Sequence, residues 1–360
     1  MSDFAEPLQQ IDRTYVLWRG RRLSYFAGCD YLRLSSHPEV LDAVRSCLDD
    51  YGLNVSASRI TTGNHRVYVA LEKAVRKFFQ SDAVIIASTG YFTNVIASQG
   101  LRGSIDHVFI DEHAHGSLRD AATTLGCKIT SFKHRDAEDL KKKVATRIPR
   151  SKVAVLTDGM FSHNGAVAPL ADYRAVIGPT PLLWVDDAHA AGVSGDGRGT
   201  IASAGLNRRN ILQTVTFSKA FGTYGGAILC DKVLASRISD RSAAVAGNTP
   251  MPLPLACATL KSLALCNKSL REKLLANVHR FWNAYGTPDP ANLSPIISFA
   301  PPNPEVLRRR LLTAGIYPPL IKYPGGPRHG YFRFAVSSEH SPAQIETLAG
   351  VLAQANTPPL

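Results

Sequence analysis

Polar and ionisable side chains directly follow five short apolar segments of the sequence. The polar stretches are TGY at 89–91, DEHAHGS at 111–117, DGMFS at 158–162, DDAH at 186–189 and SKAFGTYGG at 218–226. Together they supply an amine, imidazoles, carboxylates and hydroxyls. Lys219 alone would be interpreted as a solvated surface residue. An amine close to imidazoles, carboxylates and hydroxyls, however, can form a Schiff base with a carbonyl compound. The spacing therefore indicates a catalytic site built from several loops.

The apolar segments before these loops predict a sheet. AVIIAS at 83–88, HVFI at 107–110, KVAVLT at 152–157, LLWV at 182–185 and the run that begins ILQTV at 211 lack in/out alternation, which is typical of strands buried on both faces. Helical periodicity separates them, and SHPE at 36–39 has the pattern of a capping box. We therefore expect an α/β fold with a mainly parallel sheet covered by helices. Ligands of such sheets lie beyond the carboxyl ends of the strands, where the polar loops follow.

Length and composition predict the domain organisation. A chain of 360 residues that is 45% hydrophobic can bury the core of one large domain and one smaller domain. We predict a large domain over 36–240, a smaller α+β C-terminal domain over 241–360, and an N-terminal segment, 1–35, that belongs to the smaller domain. The six cysteines form no CxxC pair and there is no histidine cluster at zinc spacing, so we expect reduced thiols and no metal.

Neither a membrane nor nucleic acid is an expected partner. No run approaches the roughly 20 apolar residues of a membrane-spanning helix, and the first residues lack a signal pattern, so we expect a cytoplasmic protein. The net charge of +12 is spread along the chain, and its densest patches, at 19–22, 141–143 and 308–310, lack interleaved aromatic residues. We interpret them as solvated faces. If the excess charge has a function, attraction of coenzyme A or of an acidic carrier protein is the simplest.

The combination of groups in the polar loops fits pyridoxal 5'-phosphate (PLP). Lys219 can hold the aldehyde as a Schiff base, and Asp186, which closes an apolar strand, needs a cation such as a protonated pyridine nitrogen. Such an acid keeps the ring electron-poor, so that the ring can accept carbanion charge. Hydroxyls near glycines can hold the phosphate.

The sequence resembles the α-oxoamine synthases, the PLP family that includes amino-oxononanoate synthase, aminolevulinate synthase and serine palmitoyltransferase. The similarity runs in order through most of the chain, in CDYLRLSSHPEV, SRITTGNHRVYVALE, ASTGYFTN, DEHAHGSLRDA, DGMFSHNGAVAPL, VDDAHAAGVSGDGRGT, TFSKAFGTYGG and FRFAVSSEHS. It implies the type I PLP-dependent transferase fold, with a large domain and a smaller C-terminal domain. It also implies a homodimer with shared active sites.

The resemblance implies roles for individual residues. Lys219 would bind PLP and move protons at the substrate α-carbon. Asp186 would pair with the pyridine nitrogen, and His189 with the phenolic oxygen of the ring. His115 would stack on the ring face. The other implied cofactor contacts are Ser162 near the phenolic oxygen, Thr216 and the backbone of Gly90 and Tyr91 at the phosphate, and Thr249 at the phosphate across a dimer interface.

Substrate binding is implied at fewer positions. Arg333, in FRFAVSS, matches the arginine that binds the amino-acid carboxylate, a bidentate role suited to guanidinium, although the residue alone would be an ordinary basic residue in a strand. Three positions depart from the family. Cys29 stands where the family has an asparagine that helps to seat the amino acid, Arg33 where glycine is usual, and Asp158 where glutamate is usual. An N-terminal arginine that often contacts substrate has no clear match, although Arg13 is conceivable.

The reaction implied by the resemblance is a decarboxylative condensation. An amino acid displaces Lys219 from the cofactor, loses its α-proton to that lysine and attacks an acyl thioester of coenzyme A or a carrier protein. The thiol and carbon dioxide leave, and an α-aminoketone results. One alternative is a PLP enzyme of the same fold with another reaction, such as aldol-type bond formation, decarboxylation alone or transamination, which Cys29 and Arg33 motivate. A more remote alternative is a non-catalytic basic binding protein. The sequence does not identify the amino acid or the acyl chain.

Overall fold

A computed structural model describes residues 6–287, 293–322 and 327–355. The strands, in chain order, are β1 (Gln9–Asp12), β2 (Tyr15–Trp18), β3 (Arg21–Ser24), β4 (Ala83–Ala87), β5 (His107–Asp111), β6 (Lys128–Phe132), β7 (Val153–Asp158), β8 (Leu182–Asp186), β9 (Ile211–Thr216), β10 (Gly226–Cys230), β11 (Ile296–Phe299), β12 (Leu320–Ile321) and β13 (Tyr331–Ala335). The helices are α1 (Pro38–Tyr51), α2 (Arg66–Phe79), α3 (Gly90–Leu101), α4 (Gly116–Leu125), α5 (Ala137–Ala145), α6 (Leu170–Ile177), α7 (Thr200–Ser203), α8 (Lys232–Arg241), α9 (Ala243–Gly247), α10 (Leu253–Leu265), α11 (Lys268–Tyr285), α12 (Pro304–Thr313) and α13 (Pro342–Ala353).

The larger of two compact units comprises residues 34–162 and 167–267 and contains a seven-stranded sheet. The strand order is β4-β10-β9-β8-β7-β5-β6. Strand β10 runs antiparallel to both of its neighbours, whereas the pairs from β9 to β6 are parallel. Every residue of β5, β7 and β9 is buried, as expected for strands covered by helices on both faces. The predicted α/β class with a mainly parallel sheet is confirmed.

The predicted capping box at the start of α1 does not form. The N-cap residue is His37, which makes no side-chain cap hydrogen bond, and Pro38 occupies the first helical position. Proline suits that position because its fixed φ matches the helix and its missing N–H group would have no helical partner there. The helix therefore begins where predicted but by a different local mechanism.

The larger unit contains a disulfide between Cys47 of α1 and Cys257 of α10. The sequence analysis expected all six thiols to be reduced, and this expectation was wrong for these two. They lie 210 residues apart in the chain, so no local spacing could reveal that α1 and α10 pack together and bring them into bonding distance.

The smaller unit comprises residues 1–33, 163–166 and 268–360. Its described residues form two three-stranded antiparallel sheets, β1-β2-β3 and β11-β13-β12. Residues 241–267, which the sequence analysis placed with the C-terminal domain, group with the larger unit instead. Among the described residues, no helix has both the length and the apolar character required to span a bilayer.

Candidate active site

A cavity of about 300 Å³ lies at the carboxyl ends of the central strands of the larger unit. Its lining includes seven residues that the sequence analysis selected: Gly90, Tyr91, His115, Asp186, His189, Thr216 and Lys219. They come from four separate segments of the chain, so only the fold brings them together. The lining thus joins the amine, the acid, the two imidazoles and one helix N-terminus in one enclosed space.

Asp186 ends β8 and is held by three hydrogen bonds. Its Oδ2 accepts from Asn94 Nδ2 at 2.6 Å and from Ser117 Oγ at 3.4 Å, while its Oδ1 accepts from the backbone N–H group of Ala188 at 3.0 Å. The residue is only 6% exposed. Because three donors surround it, the carboxylate is held in one orientation. It is therefore prepared to receive a cation from the cavity.

Asn94 is a buried residue of α3 that orients Asp186, and the sequence analysis missed it. Its Oδ1 accepts hydrogen bonds from Trp184 Nε1 and Thr214 Oγ1, both at 3.0 Å. These two donors fix the orientation of the amide, since the oxygen must face them and the nitrogen must face Asp186. The signal in the sequence was a single asparagine among the small and apolar residues of α3, which is weak evidence without the fold.

His115 precedes α4 and also lines the cavity. Its Nδ1 lies 2.9 Å from Ser117 Oγ, and its ring meets that of Tyr91 edge to face. Burial lowers the pKa of His115, the charge of Asp186 opposes this, and the charge of Lys219 lowers the pKa further. A neutral imidazole at the cavity wall is the result, and its flat face can stack on an aromatic ring.

Asp158, at the end of β7, is a second acid in the cavity lining. Burial raises the pKa of Asp158 well above its usual range, and the negative charge of Asp186 raises it further. Its Oδ2 accepts a hydrogen bond from the backbone N–H group of His115 at 2.8 Å. Asp158 thus positions the His115 backbone, and its carboxyl group favours the neutral form.

The N-terminus of α3, with Gly90 and Tyr91, forms another part of the cavity wall. Thr89 caps the helix by accepting from Phe92 N at 3.1 Å, and the Thr93 amide donates to Thr89 O. The amides of Gly90 and Tyr91 precede these bonded groups, so they are the helix N–H groups available to an anion. A Cβ atom at position 90 would lie 2.5 Å from Thr216 Cβ. Glycine is therefore required for α3 to begin this close to the Thr216 hydroxyl.

Lys219 lies in the loop from 217 to 225 that joins the antiparallel strands β9 and β10. The loop closes through a hydrogen bond from Phe217 N to Gly225 O at 2.9 Å, and a turn bond from Gly222 N to Lys219 O at 2.8 Å fixes its tip. Gly222 has φ +62°, a left-handed conformation that favours glycine. The glycine-rich sequence after the lysine thus shapes the turn that carries the amine.

Two predicted cofactor residues do not line this cavity in the single chain. Ser162 is half-buried and is absent from the lining, and Thr249 is exposed. The sequence analysis had placed Thr249 across a dimer interface, so its role stays a prediction.

The predicted substrate residues of the smaller unit contact one another. Arg333 Nη2 lies 3.2 Å from Cys29 Sγ, to which it donates. Arg333 Nε is buried and has no hydrogen-bond partner among the described residues. Arg33 has φ +51°, which explains why glycine suits that position. Arg13 donates to Arg33 O at 2.7 Å, so its side chain supports the backbone there.

The donor set of the cavity fits PLP. An amine, an oriented carboxylate, a neutral imidazole and a helix N-terminus match an aldehyde, a pyridinium nitrogen, a ring face and a phosphate, respectively. No cluster of three or more potential metal ligands occurs among the residues that the structure describes.

Comparison with known proteins gives matches over nearly the whole chain. Residues 26–352 match the family model described as aminotransferase class I and II. An 8-amino-7-oxononanoate synthase from Methylocella silvestris is 33% identical, over 93% of this chain and 97% of that protein. A solved structure of a Sphingomonas wittichii serine palmitoyltransferase is 25% identical with a TM-score of 0.88, over 96% of this chain and 90% of its own. A high-resolution structure of SPT with a PLP internal aldimine is 26% identical, with the same TM-score and coverage.

Proposed function

The chain belongs to the aminotransferase class I and II family, and on this basis we propose that it is a PLP-dependent acyltransferase that condenses an amino acid with an acyl thioester. The predicted type I PLP-dependent transferase fold is confirmed by this match and by the solved structures of similar fold. The reaction releases the thiol and carbon dioxide and forms an α-aminoketone. The relatives named as 8-amino-7-oxononanoate synthase and serine palmitoyltransferase support this type of condensation over the aldol, decarboxylation and transamination alternatives.

The observation that carries the proposal is that Lys219 and Asp186 line the same cavity. When bound there, PLP supplies an electron-poor ring that stabilises negative charge at the substrate α-carbon. Asp186 holds the proton on the ring nitrogen, since the carboxylate is buried and oriented by Asn94. Lys219 would hold the cofactor through its aldehyde, and the amine would take the α-proton from the amino acid and return it to the product.

The other cavity residues hold the cofactor in a fixed position. His115, neutral because burial lowers its pKa, stacks on the ring, and His189 binds its phenolic oxygen. The amides of Gly90 and Tyr91, together with the Thr216 hydroxyl, bind the phosphate at the start of α3. Ser162 contributes near the phenolic oxygen. These contacts limit the tumbling of the ring and aim the α-carbon at Lys219.

Arg333 binds the carboxylate of the amino acid. Its guanidinium donates to Cys29 Sγ through Nη2, while its buried Nε is without a hydrogen-bond partner among the described residues. A carboxylate can satisfy that donor and a second N–H group in bidentate geometry. Cys29, which takes the place of the family asparagine, lies beside this group and contributes to the choice of amino acid.

The active form is a homodimer in which Thr249, exposed in the single chain, reaches the cofactor phosphate of the partner. The acyl group arrives on coenzyme A or on a carrier protein, both of which are anionic and are attracted by the net charge of +12. The protein acts in the cytoplasm.

The test is thiol release from acyl thioesters. The PLP-loaded protein is incubated with each common amino acid and a series of acyl-coenzyme A substrates, and free thiol and carbon dioxide are measured. We expect both products in equal amounts with one amino acid, no turnover by Lys219→Ala, and full turnover by the exposed control Lys232→Ala. A product formed from an amino acid without a thioester, or turnover that survives Lys219→Ala, would overturn the proposal.

A further inference from the structure

A second cavity, of about 520 Å³, lies at the opposite edge of the same sheet. It is lined by the first residues of β7 and β8, Val153 and Leu182, and by Asn210, which precedes β9. The active-site cavity lies at the other ends of these strands, at Asp158 and Asp186. Strands of this length separate the two cavities by roughly 15 Å. The second cavity is therefore distinct from the catalytic one.

The wall of this second cavity is cationic. It includes Arg147, Arg150 and Lys152, from the segment between α5 and β7, and Arg237 of α8, and no acidic side chain belongs to the lining. Among the ion pairs of the described residues, none involves any of these four side chains. The nearby Asp106 accepts from the backbone N–H group of Lys152 and is not part of the lining.

Two of these side chains are placed by neighbouring helices. Arg147 donates to Val144 O, near the end of α5, at 3.4 Å. Arg237 lies three residues after Leu234 on α8, so both side chains share the face of the helix that lines the cavity. Like charges that line one cavity repel one another, and a concave wall concentrates their positive potential. A multiply charged anion would relieve this repulsion.

The floor of the cavity is apolar. Residues that are almost fully buried form it, namely Leu101, Ile105, Val153 and Ile177. Side-chain hydroxyls of Ser104 and Thr180 lie in the same lining. A pocket with an apolar floor, a few polar groups and a charged rim is suited to an organic molecule that is charged at one end.

We propose that this cavity is a binding site for a small organic phosphate, with its phosphate at Arg150, Lys152 and Arg237 and its apolar part on the floor. Guanidinium groups match the geometry of phosphate oxygens, and a dianion balances several converging cations better than a carboxylate does. The site is separate from the one that binds the cofactor, and its existence does not depend on the reaction proposed above.

The test uses calorimetric titration of the PLP-loaded protein, so that the cofactor phosphate already fills its own site. The probes are phenyl phosphate, inorganic phosphate and benzyl alcohol. The test variant combines Lys152→Gln with Arg237→Gln. The control combines Lys142→Gln with Arg76→Gln, which removes one lysine and one arginine from exposed positions outside the cavity.

We expect phenyl phosphate to bind the unchanged protein and the control with equal affinity and to bind the test variant about tenfold more weakly, because two charge-assisted contacts are lost. Inorganic phosphate and benzyl alcohol should each bind more weakly than phenyl phosphate. Equal affinity of the test variant and the unchanged protein, or equal affinity of inorganic and phenyl phosphate, would overturn the proposal. Thermal melting of each variant verifies that these exposed substitutions leave the fold intact.

Discussion

The substitution Asn94→Asp tests the orientation of Asp186 with the smallest possible change of shape. The oxygen that accepts from Trp184 and Thr214 is retained, while the group that donates to Asp186 Oδ2 at 2.6 Å becomes an acceptor. One charge-assisted hydrogen bond is lost, which is worth about 1.5–3 kcal/mol. Because this bond orients the proposed partner of the cofactor nitrogen, PLP affinity should fall roughly 10- to 150-fold.

The loss of PLP affinity in Asn94→Asp should depend on pH, because the introduced carboxyl group lies beside that of Asp186. The introduced carboxyl is desolvated and lies beside the charge of Asp186, and both effects raise its pKa above that of an ordinary aspartate. Below that pKa it is protonated and can donate to Asp186 as the amide does. Above that pKa two carboxylates repel each other. The deficit of the variant should therefore shrink as the pH falls.

The assay is titration of cofactor-free protein with PLP, followed by the visible absorbance of the bound cofactor, at a series of pH values. Asn207→Asp is the matched control, since it makes the same chemical change at an exposed residue. The control should bind PLP as the unchanged protein does at every pH. If Asn94→Asp shows the same affinity and the same pH profile as the control, the orienting role derived for the amide is wrong.

Three further outcomes are expected. Gly90→Ala should weaken PLP binding at least about tenfold in the same titration, because the added Cβ would lie 2.5 Å from Thr216 Cβ. Gly116→Ala is the control and should bind PLP normally, since Gly116 also begins a helix and no atom lies within 4 Å of its added Cβ. Burial, aided by a nearby arginine charge, lowers the pKa of His340 to about 3. An unfolded histidine is protonated below about pH 6.5, whereas the buried His340 stays neutral. The protein should therefore lose up to about 1.4 kcal/mol of unfolding free energy per pH unit as the pH falls from 6.5. In urea denaturation at pH 7 and pH 5, His340→Asn should reduce this dependence, and an unchanged slope would contradict the assignment. Cys47→Ser should lower the free energy of unfolding by about 2–4 kcal/mol without reductant and by little with it, and an equal effect under both conditions would argue against the disulfide.

The sequence predicted those strands whose burial on both faces leaves an unbroken apolar run. Strands β4, β5, β7, β8 and β9 coincide with the predicted segments. Strand β6 was missed because most of its residues are exposed and its sequence therefore contains no apolar run. Strand β10 is an exception, since all of its residues are buried, and it was missed because it follows the glycine-rich loop directly. Neighbours in the sheet that are distant in the chain cannot be inferred from local periodicity.

The residues of the active-site cavity also differ in how well the sequence reveals them. Lys219 and Asp186 stand out in the sequence because each is a polar residue directly after an apolar strand. Asn94 does not, since its role depends on the packing of α3 against β8 and β9, where Trp184 and Thr214 fix its amide. The proposed cofactor-binding residues are thus easier to find from sequence than the residues that orient them, because orientation is a property of tertiary packing.

The two acids in the cavity lining have opposite environments, and this difference assigns the charge of the site. Asp186 accepts three hydrogen bonds through its two carboxylate oxygens, whereas Asp158 accepts one backbone N–H group and is driven towards its neutral form by burial and by the charge of Asp186. Two ionised carboxylates at adjacent strand ends would repel each other and would bind a monocation with one charge in excess. With Asp158 neutral, Asp186 is the acid of this pair that can face the positive charge of a protonated pyridine ring. When two neighbouring acids have different environments, their pKa values differ, and the two carboxyl groups of one pocket can then take different roles.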